Sequence, residues 1–231
     1  TFDAKLNRIY VGTANAGPND PSVRSPGGGD NLYTASVVAL DADSGKYVWH
    51  YQETPRDSWD FDSNMPMTLA TLAIDGKPRK VLMHAPKNGF FYVLDRETGK
   101  LISAEKLGKV TWADHIDLET GRPVEAPNIR YETGDVIIWP TPLGAHSWQP
   151  QAFSPRTSSI TASGIGRPQI GGDHQRIGGN RLVIALRQPA ATGQHGDGVA
   201  QPLHHPPVML HHQDRPPGAN PADKRHDAVD I

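Results

Sequence analysis

The sequence predicts an all-β fold, and three observations support this prediction. Runs of strand length, rich in β-branched and aromatic residues, recur from the N-terminus to about position 140. Glycine, asparagine, aspartate and proline separate these runs, as is typical of turns between strands. A short motif also repeats along the chain, which indicates a fold built from repeated strand units.

Seven runs are the predicted strands, and one pair of them has a turn signal between its members. The runs are IYVGTA (9–14), SVVALDA (36–42), KYVWHYQ (46–52), TLATLAI (68–74), KVLMHAP (80–86), FFYVLDR (90–96) and VIIWP (136–140). Asn88 and Gly89 lie between KVLMHAP and FFYVLDR, and both residue types accept the positive φ of a tight turn. These two runs are therefore predicted to be adjacent antiparallel strands.

The repeated motif indicates the architecture. ALDADSGKYVW (39–49) returns as VLDRETGKLIS (93–103), with a fainter copy at IDLETGR (116–122). In the shared pattern D-x-x-[ST]-G, the aspartate bonds local backbone and the glycine adopts a special conformation, which makes a turn between strands. A repeat of roughly 40–55 residues with about four strands is the size of a β-propeller blade. Residues 1–157 have room for three partial blades, and the exposed edges of such an array predict part of a larger propeller.

Residues 158–231 have a different composition. All aromatic residues and all glutamates precede this segment, which is instead rich in proline, histidine and glycine. Without aromatic side chains little core can form, and proline removes backbone donors, so we expect a disordered tail with one short strand at Arg181–Leu186. The predicted organisation is a partial propeller over 1–157 and a tail over 158–231. A frameshifted or out-of-family reading joined near Thr157 is one explanation of that tail.

Charge and composition exclude several classes of function. The formal net charge of −2 gives no basic field for nucleic acid and no polybasic run for a membrane surface. No apolar run approaches the roughly 20 residues of a membrane span. The chain has no cysteine, which removes disulfides, thiolate nucleophiles and a C-x-x-C-H haem attachment site. It opens on TFDAKLNRIYVG, without an initiator methionine or a signal segment, so we expect it to begin within a longer protein.

Several polar residues stand out against the strand pattern. They are Asn15, the three aspartates of RDSWDFD (Asp57, Asp60 and Asp62), Lys87, and His146 with Trp148. From the pattern alone each of them also has an ordinary interpretation as a turn, a hairpin flank or a packed loop. The histidine pairs at 204–205 and 211–212 are interpreted as incidental composition and not as a metal site.

Residues 1–157 resemble one family along their whole length. The stretches IYVGTAN, SPGGGDNLYTASVVALDADSGKYVWHYQETPRDSWDFD, HAPKNGFFYVLDRETGK and IIWPTPLGAHSWQPQAFSP are similar to those of the alcohol dehydrogenases that depend on pyrroloquinoline quinone (PQQ). The similarity is greatest to the quinohaemoprotein branch. Members are eight-bladed propellers that hold PQQ and calcium in a central funnel. The resemblance also identifies Trp49 as a tryptophan that docks one blade on another.

The resemblance assigns roles to five residues. Asn15 falls where the family places a calcium ligand, and Asp60 falls on the catalytic base, which would also face the calcium ion. Lys87 falls on the residue that bonds the quinone oxygens of PQQ. Ser147 and Trp148 fall on a loop that contacts PQQ near its reactive carbonyl. Hard oxygen ligands of this kind suit calcium.

The implied reaction is oxidation of primary alcohols to aldehydes by hydride transfer to PQQ. Calcium would polarise the quinone carbonyl, Lys87 would stabilise developing negative charge, and Asp60 would take the alcohol proton. Trp59 and Phe61 would form the pocket wall, while Asp57 and Asp62 are expected to be turn or solvent residues. The resemblance further implies a small alcohol substrate, a cytochrome or quinone electron acceptor, a periplasmic location, and a haem c domain in the full-length parent.

The departures from the family lead to a further expectation and two rival interpretations. A glutamate ligand of calcium and the groups that sandwich PQQ lie outside this chain or are absent from it, and Ala14 and Ser147 replace a glycine and an asparagine. The isolated chain is therefore expected to be inactive. The rivals are a non-catalytic propeller that binds proteins, which would lack the Asn15, Asp60 and Lys87 constellation, and a nonfunctional gene remnant.

Overall fold

Two four-stranded antiparallel sheets form the first part of the chain. The computed structural model describes residues 1–131, 134–157, 159–164, 180–185 and 209–211. In both sheets each strand pairs with the next along the chain. Sheet 1 contains β1 (Phe2–Asp3), β2 (Arg8–Gly12), β3 (Ser36–Asp41) and β4 (Tyr47–Gln52). Sheet 2 contains β5 (Met67–Ile74), β6 (Lys77–His84), β7 (Phe90–Asp95) and β8 (Leu101–Lys106). A one-turn helix, α1 (Pro21–Arg24), lies between β2 and β3.

A hairpin and a third sheet follow. The hairpin pairs β9 (Ala113–Ile116) with β10 (Pro123–Glu125), and sheet 3 contains β11 (Gln151–Ser154), β12 (Ser159–Gly164), β13 (Asn180–Ala185) and β14 (Met209–His211). The strand predicted at Arg181–Leu186 is present as β13, and β12 and β14 are two strands that the sequence did not predict. Sheet 3 thus includes residues on both sides of Thr157. The disorder expected elsewhere in the tail, and the pair His204–His205, lie outside the described residues.

Six of the seven predicted strands are confirmed as β2 to β7, but the strand predicted at VIIWP is wrong. Residues 136–140 are irregular. They are attached to a neighbouring segment through Thr111, whose N–H donates to the Trp139 carbonyl at 2.9 Å and whose Oγ1 accepts from the Trp139 N–H at 2.8 Å. Ile137 is 85% exposed. The two hydrogen bonds to Thr111 hold the segment at Trp139, but they do not make the series of backbone hydrogen bonds that a strand needs.

The pairing predicted around Asn88 and Gly89 is confirmed, with a different turn. Strands β6 and β7 are antiparallel neighbours, with His84 opposite Tyr92. Gly89 has a φ of +91°, but the structure does not give Asn88 a positive φ. The Asn88 side chain is instead buried, where its amide donates to the Tyr92 hydroxyl at 2.8 Å and to the Glu53 carbonyl at 3.2 Å. Asn88 therefore links sheet 2 to the end of β4.

The repeated motif forms the same turn three times. In each copy the aspartate carboxylate accepts from the N–H and hydroxyl of the serine or threonine at 2.6–3.1 Å. The glycine N–H donates to the aspartate carbonyl at 2.7–2.9 Å, and the glycine φ lies between 67° and 76°. The three turns are Asp41–Gly45, Asp95–Gly99 and Asp117–Gly121. The turn chemistry inferred from the sequence is therefore confirmed.

Sheet 2 lies between the other two sheets, as a blade does in a propeller. All six residues of β7 are buried, because one face of sheet 2 packs on sheet 1 and the other on β12 through Ile160. Gln151 of β11 also donates its side-chain amide to the Met83 carbonyl at 3.1 Å. Among the described residues, sheet 1 is covered on one face only, and Ile9 and Val11 of β2 are 37% and 42% exposed.

Sheets 1 and 2 are joined at one end by the repeated turn. Trp49 packs on Gly99, so closely that a Cβ on Gly99 would lie 2.6 Å from the indole ring. The Trp49 Nε1–H donates to the Arg96 carbonyl at 3.3 Å, and the Tyr10 hydroxyl donates to the same carbonyl at 2.9 Å. Trp49 therefore docks sheet 1 on sheet 2, as the resemblance implied.

The candidate functional residues lie at the opposite end of these sheets. In an antiparallel meander, alternate connections emerge at the same end. The connections β2–β3 (13–35), β4–β5 (53–66) and β6–β7 (85–89) share this end. They carry Asn15, Asp60 and Lys87. The segment 141–150, which precedes β11, is hydrogen-bonded to the β6–β7 connection there.

Candidate active site

The β4–β5 connection presents Asp60 between two buried aromatic residues. Trp59 and Phe61 are almost fully buried, and their rings pack against Trp112 with centroids 5.3 Å and 5.8 Å away. Asp60 has a φ of +63°, and its side chain remains 35% exposed. Trp59 and Phe61 thus anchor the loop in the core. They are too deeply buried to form an exposed pocket wall.

Asp57 holds this loop in shape. Its carboxylate is buried and accepts the backbone N–H of Trp59 at 3.1 Å and of Phe61 at 3.2 Å. Burial raises the pKa of Asp57 to about 6, although these two hydrogen bonds oppose the shift. The expectation that Asp57 is a turn former is confirmed, because its carboxylate binds the N–H groups of the residues on either side of Asp60.

Lys87 contacts two of the aspartates. Its Nζ lies 2.5 Å from Asp62 Oδ2 and 3.3 Å from Asp60 Oδ2. Burial alone lowers the pKa of Lys87, but the hydrogen bond and charge of Asp62, followed by those of Asp60, outweigh it and raise the pKa above its usual value. Lys87 is therefore a cation held between two carboxylates.

Asp62 is not the turn or solvent residue that the sequence suggested. Its side chain is 16% exposed, pairs with Lys87, and accepts the backbone N–H of Asn15 at 3.0 Å through Oδ1. Sequence reasoning missed this role. The two-residue spacing of Asp60 and Asp62 gave no signal for it, because the alternation of side chains along a strand does not apply where Asp60 has a φ of +63°.

Asn15 joins the site from the β2–β3 connection. Its side-chain Nδ2 donates to Asn19 Oδ1 at 3.1 Å, and its backbone N–H is held by Asp62. With Nδ2 engaged in this way, Oδ1 is the atom of the Asn15 amide that can ligate a cation. The structure therefore brings Asn15, Asp60, Asp62 and Lys87 together at one end of the sheets.

The 141–150 segment is fixed to the Lys87 loop. The Ala145 N–H donates to the Lys87 carbonyl at 3.1 Å. Gly144 has a φ of +84°, and a Cβ there would lie 2.7 Å from Lys87 Cγ and 2.5 Å from the His146 carbonyl oxygen. Only glycine fits this approach. The segment thus places His146, Ser147 and Trp148 directly after a contact with Lys87.

His146 is a structural residue of this segment, whereas Trp148 is open to solvent. His146 is buried, with Nδ1 2.5 Å from the Ala85 carbonyl and Nε2 3.0 Å from the Gln149 carbonyl. Burial lowers the pKa of His146, although both carbonyl contacts oppose the shift. The Ser147 N–H donates to Gln149 Oε1 at 3.1 Å. Trp148 is 79% exposed.

An open groove runs beside Trp148. Its volume is about 520 Å³, and its lining includes Trp148, Val11, Gly12, Met65 and Met67. Met65 and Met67 contribute apolar surface to the lining, and Trp148 contributes an aromatic side chain. This groove borders the connection that carries Asp60 and Asp62.

Two side-chain groups support the site from below, and the sequence pattern identified neither. Arg130 lies over the Trp59 ring at 4.9 Å and donates to the Arg56 carbonyl at 2.7 Å and to Ser58 Oγ at 2.8 Å. Glu53 and His84 form a fully buried pair, with Glu53 Oε1 2.8 Å from His84 Nδ1. Arg130 holds residues 56–58 of the connection that carries Asp60, and the Glu53–His84 pair joins the start of that connection to the end of β6, just before the connection that carries Lys87.

The donor set fits part of a calcium site. Calcium takes six to eight oxygen ligands, and the Asn15 amide oxygen and the Asp60 carboxylate are ligands of that type. In the part of the chain that the structure describes, no group of three or more histidine, aspartate or glutamate side chains is placed to hold a metal. The residues present therefore fit some of the coordination shell and leave the rest to ligands from elsewhere. Over the same residues, no helix has the length and apolarity needed to cross a membrane.

The fold and the site together define a segment of a propeller with a polar site at one end of its stacked sheets. Comparison with known proteins gives the family. Residues 1–106 match the model described as the glucose/ethanol/alcohol dehydrogenase β-propeller domain of the PQQ family. The chain is 62% identical over 159 residues to the quinohemoprotein alcohol dehydrogenase ADH IIB of Pseudomonas putida, an alignment that covers 69% of this chain and 23% of that protein.

Two further comparisons agree. The chain is 52% identical over 134 residues to the 1-butanol dehydrogenase (cytochrome c) of Thauera butanivorans, covering 58% of this chain and 19% of that protein. The structure matches that of the quinohemoprotein alcohol dehydrogenase from Comamonas testosteroni with a TM-score of 0.68 and 48% identity, covering 80% of this chain and 25% of the other. The chain spans about a quarter of the length of these relatives. Its propeller residues belong to the PQQ-dependent alcohol dehydrogenase family.

Proposed function

We propose that this chain is part of a PQQ- and calcium-dependent alcohol dehydrogenase that oxidises primary alcohols to aldehydes. The observation that carries the proposal is the position of Lys87, between the carboxylates of Asp60 and Asp62, in a segment that matches the family. PQQ, when bound, supplies the acceptor for the hydride of the alcohol. The propeller part is residues 1–157, and the tail is residues 158–231.

Asp60 is proposed as the base that accepts the alcohol proton. Its carboxylate is partly exposed, and its backbone is fixed by the buried Trp59 and Phe61 on either side. Lys87 lies nearer to Asp62 than to Asp60, at 2.5 Å against 3.3 Å. Asp62 therefore takes the larger share of the lysine charge, which leaves an oxygen of Asp60 able to accept a proton.

The remaining predicted residues have binding roles in this proposal. Asn15, through Oδ1, and Asp60 would hold calcium together with ligands outside this segment. Lys87 would donate to the quinone oxygens, where a cation stabilises developing negative charge. Trp148 offers an exposed aromatic face for the flat cofactor, and Ser147 adjoins it with a hydroxyl.

The proposal extends to partners and location. The substrate is a small alcohol, and the electrons pass to a cytochrome or a quinone. A cytochrome acceptor is supported by the name of one relative, the 1-butanol dehydrogenase (cytochrome c) of Thauera butanivorans. The periplasm is the proposed location, and a haem c domain is proposed for the full-length parent.

A segment exchange tests the proposal in a complete enzyme. Residues 1–157 would replace the matching segment of the P. putida relative, and Asp60→Asn would then be compared with the unmutated exchange. We expect kcat to fall about 10²- to 10⁴-fold, because a positioned base contributes about that much. PQQ content, measured by absorbance, should be retained.

The control for this experiment is Asp114→Asn, which changes a carboxylate that is 79% exposed. It should leave both kcat and PQQ content unchanged. If Asp60→Asn keeps full turnover while PQQ is bound, Asp60 is not the base. If the exchanged enzyme without further mutation neither binds PQQ nor oxidises alcohols, the proposed function of this segment is wrong.

A further inference from the structure

The side chain of one arginine contacts both of the loops that carry the proposed calcium ligands, in addition to the hydrogen bond from the Asn15 N–H to Asp62 that also joins them. Arg24, the last residue of α1, donates from Nη1 to the Pro18 carbonyl at 2.8 Å and to the Asn19 carbonyl at 2.9 Å. Its Nη2 donates to the Asp57 carbonyl. Pro18 and Asn19 follow Asn15 in the β2–β3 connection, and Asp57 precedes Asp60 in the β4–β5 connection.

The contacts of Arg24 end one hydrogen bond away from Asn15 on one side and from the two neighbours of Asp60 on the other. On one side, Asn19 accepts the side-chain amide of Asn15 at 3.1 Å. On the other side, Asp57 accepts the N–H groups of Trp59 and Phe61, the two neighbours of Asp60. The guanidinium therefore lies between two short chains of contacts, one leading to each ligand.

Arginine is suited to this position for a geometric reason. Its planar guanidinium carries donors that point in fixed, divergent directions, so it can satisfy carbonyls on two separate loops at the same time. The Arg24 Nε also donates to Asn31 Oδ1 at 2.8 Å, which fixes the plane of the group. The helix that carries Arg24 is itself held by Asp20, whose Oδ1 accepts the Ser22 N–H at 2.8 Å.

We propose that Arg24 is a positioning residue that holds the Asn15 loop against the Asp60 loop, and so sets the separation of the two cation ligands. The cation part of this inference rests on the proposed function, whereas the joining of the two loops does not. Small displacements of positioned groups strongly reduce binding and catalysis, so a side chain that fixes the separation is functionally important. Arg24 is not one of the five residues to which the resemblance assigns a role.

Hydrogen exchange on the full 231-residue chain tests whether the two loops are joined. In Arg24→Gln, we expect amides of 13–20 and of 58–62 to exchange at least tenfold faster than in the unmutated chain. Two amides are suitable reporters. The Asn15 amide donates to Asp62 in the other loop, and the Phe61 amide donates to Asp57 within its own loop. Amides of β6 and β7 should be unaffected. If only one of the two loops loses protection, or neither does, the inference is wrong.

Two further variants separate positioning from general stability. Arg122→Gln is a matched control, because Arg122 is also a guanidinium that pairs with a residue of the β2–β3 connection, Asp30, but on an exposed surface. It should leave both loops protected. Arg24→Lys keeps the charge with a single nitrogen, so it should retain contact with one loop and release the other.

Binding of terbium provides a readout at the ligand site itself. Terbium prefers oxygen ligands, and nearby tryptophans sensitise its emission. We expect Arg24→Gln to weaken terbium binding at least tenfold, Arg24→Lys to weaken it as well, and Arg122→Gln to leave it unchanged. Equal affinity in Arg24→Gln and the unmutated chain would overturn the inference. Failure of the unmutated chain to bind terbium would count against the proposed cation site, and hydrogen exchange would still decide the role of Arg24.

Discussion

Asp57 shows how a single buried carboxylate shapes the candidate site and makes stability depend on pH. Its carboxylate holds the loop that presents Asp60. Ionisation of this buried carboxylate lowers the stability of the native chain, because a charge is unfavourable away from water. Burial raises its pKa from 3.8 to about 6, so between these values the native chain binds a proton more tightly than the unfolded chain. Stability from this residue is therefore greatest below about pH 4.

We expect the contribution of Asp57 to decrease by roughly 3 kcal/mol as pH rises from about 4 to about 6. Asp57→Asn should remove this part of the pH dependence, because the amide does not titrate. Urea unfolding at several pH values between 4 and 7 measures the effect. Asp135→Asn, which changes an exposed carboxylate, should keep the profile of the unmutated chain. A profile that is the same in Asp57→Asn would contradict the assignment.

At the same scale, the three aspartates of RDSWDFD show what the sequence could and could not distinguish. The pattern identified the cluster, and the structure brings Asp60, Asn15 and Lys87 to one end of the sheets. It did not separate Asp57, which is buried, from Asp62, which pairs with Lys87. Which carboxylate is buried depends on how the loop lies on Trp112, a contact across about fifty residues of sequence that no local pattern encodes.

At the scale of the elements, the repeated turn has two functions. It reverses the chain between strands, and in sheet 2 it also receives Trp49 from sheet 1 on the open face of Gly99. The corresponding glycine of sheet 1, Gly45, has a similar positive φ of 67° and no atom of the described residues within 4 Å of a Cβ built on it. The two positions thus share a backbone conformation and differ in packing.

This pair of glycines allows a matched prediction. Alanine at either position should lower the free energy of unfolding by about 1–2 kcal/mol, because φ is positive. Gly99→Ala should lose about 1–3 kcal/mol more than Gly45→Ala, because its Cβ would overlap the Trp49 ring. Urea unfolding of both variants gives the difference. Equal losses would mean that Trp49 moves away without cost and does not dock the sheets tightly.

Most strands followed from local signals, whereas the supports of the site did not. Alternating apolar residues and turn residues were enough to predict β2 to β7, since both signals lie within a few residues. VIIWP carried the same signals but has no neighbouring strand to pair with among the described residues. Arg24 and Arg130 could not be found from the sequence, because they bind backbone carbonyls of distant loops, and a carbonyl has no sequence signature.

At the scale of the whole molecule, the two ends of sheets 1 and 2 have different tasks. One end carries the polar loops of the candidate site. The other holds the sheets together through Trp49, Tyr10 and the buried pair of Asp3 and Arg96, whose Oδ2 and Nε lie 3.0 Å apart. That pair is held by charge and not by a well-aligned hydrogen bond, since neither atom has a hydrogen-bond partner of good geometry. A rigid far end keeps the loops of the site at a fixed separation.

The Asp3–Arg96 pair gives a prediction at this scale. Asp3→Asn keeps an oxygen for the N–H groups of Lys5 and Leu6 but leaves the Arg96 charge buried without a partner. We expect it to lower the free energy of unfolding by about 3–5 kcal/mol, and Arg96→Met to cost a similar amount by isolating Asp3. The double variant should lose much less than the sum of the two, because it contains neither isolated charge. Urea unfolding followed by tryptophan fluorescence measures all three. Additive losses would show that the two charges stabilise the chain independently, and that the sheets are held together by Trp49 and Tyr10 without help from the ion pair.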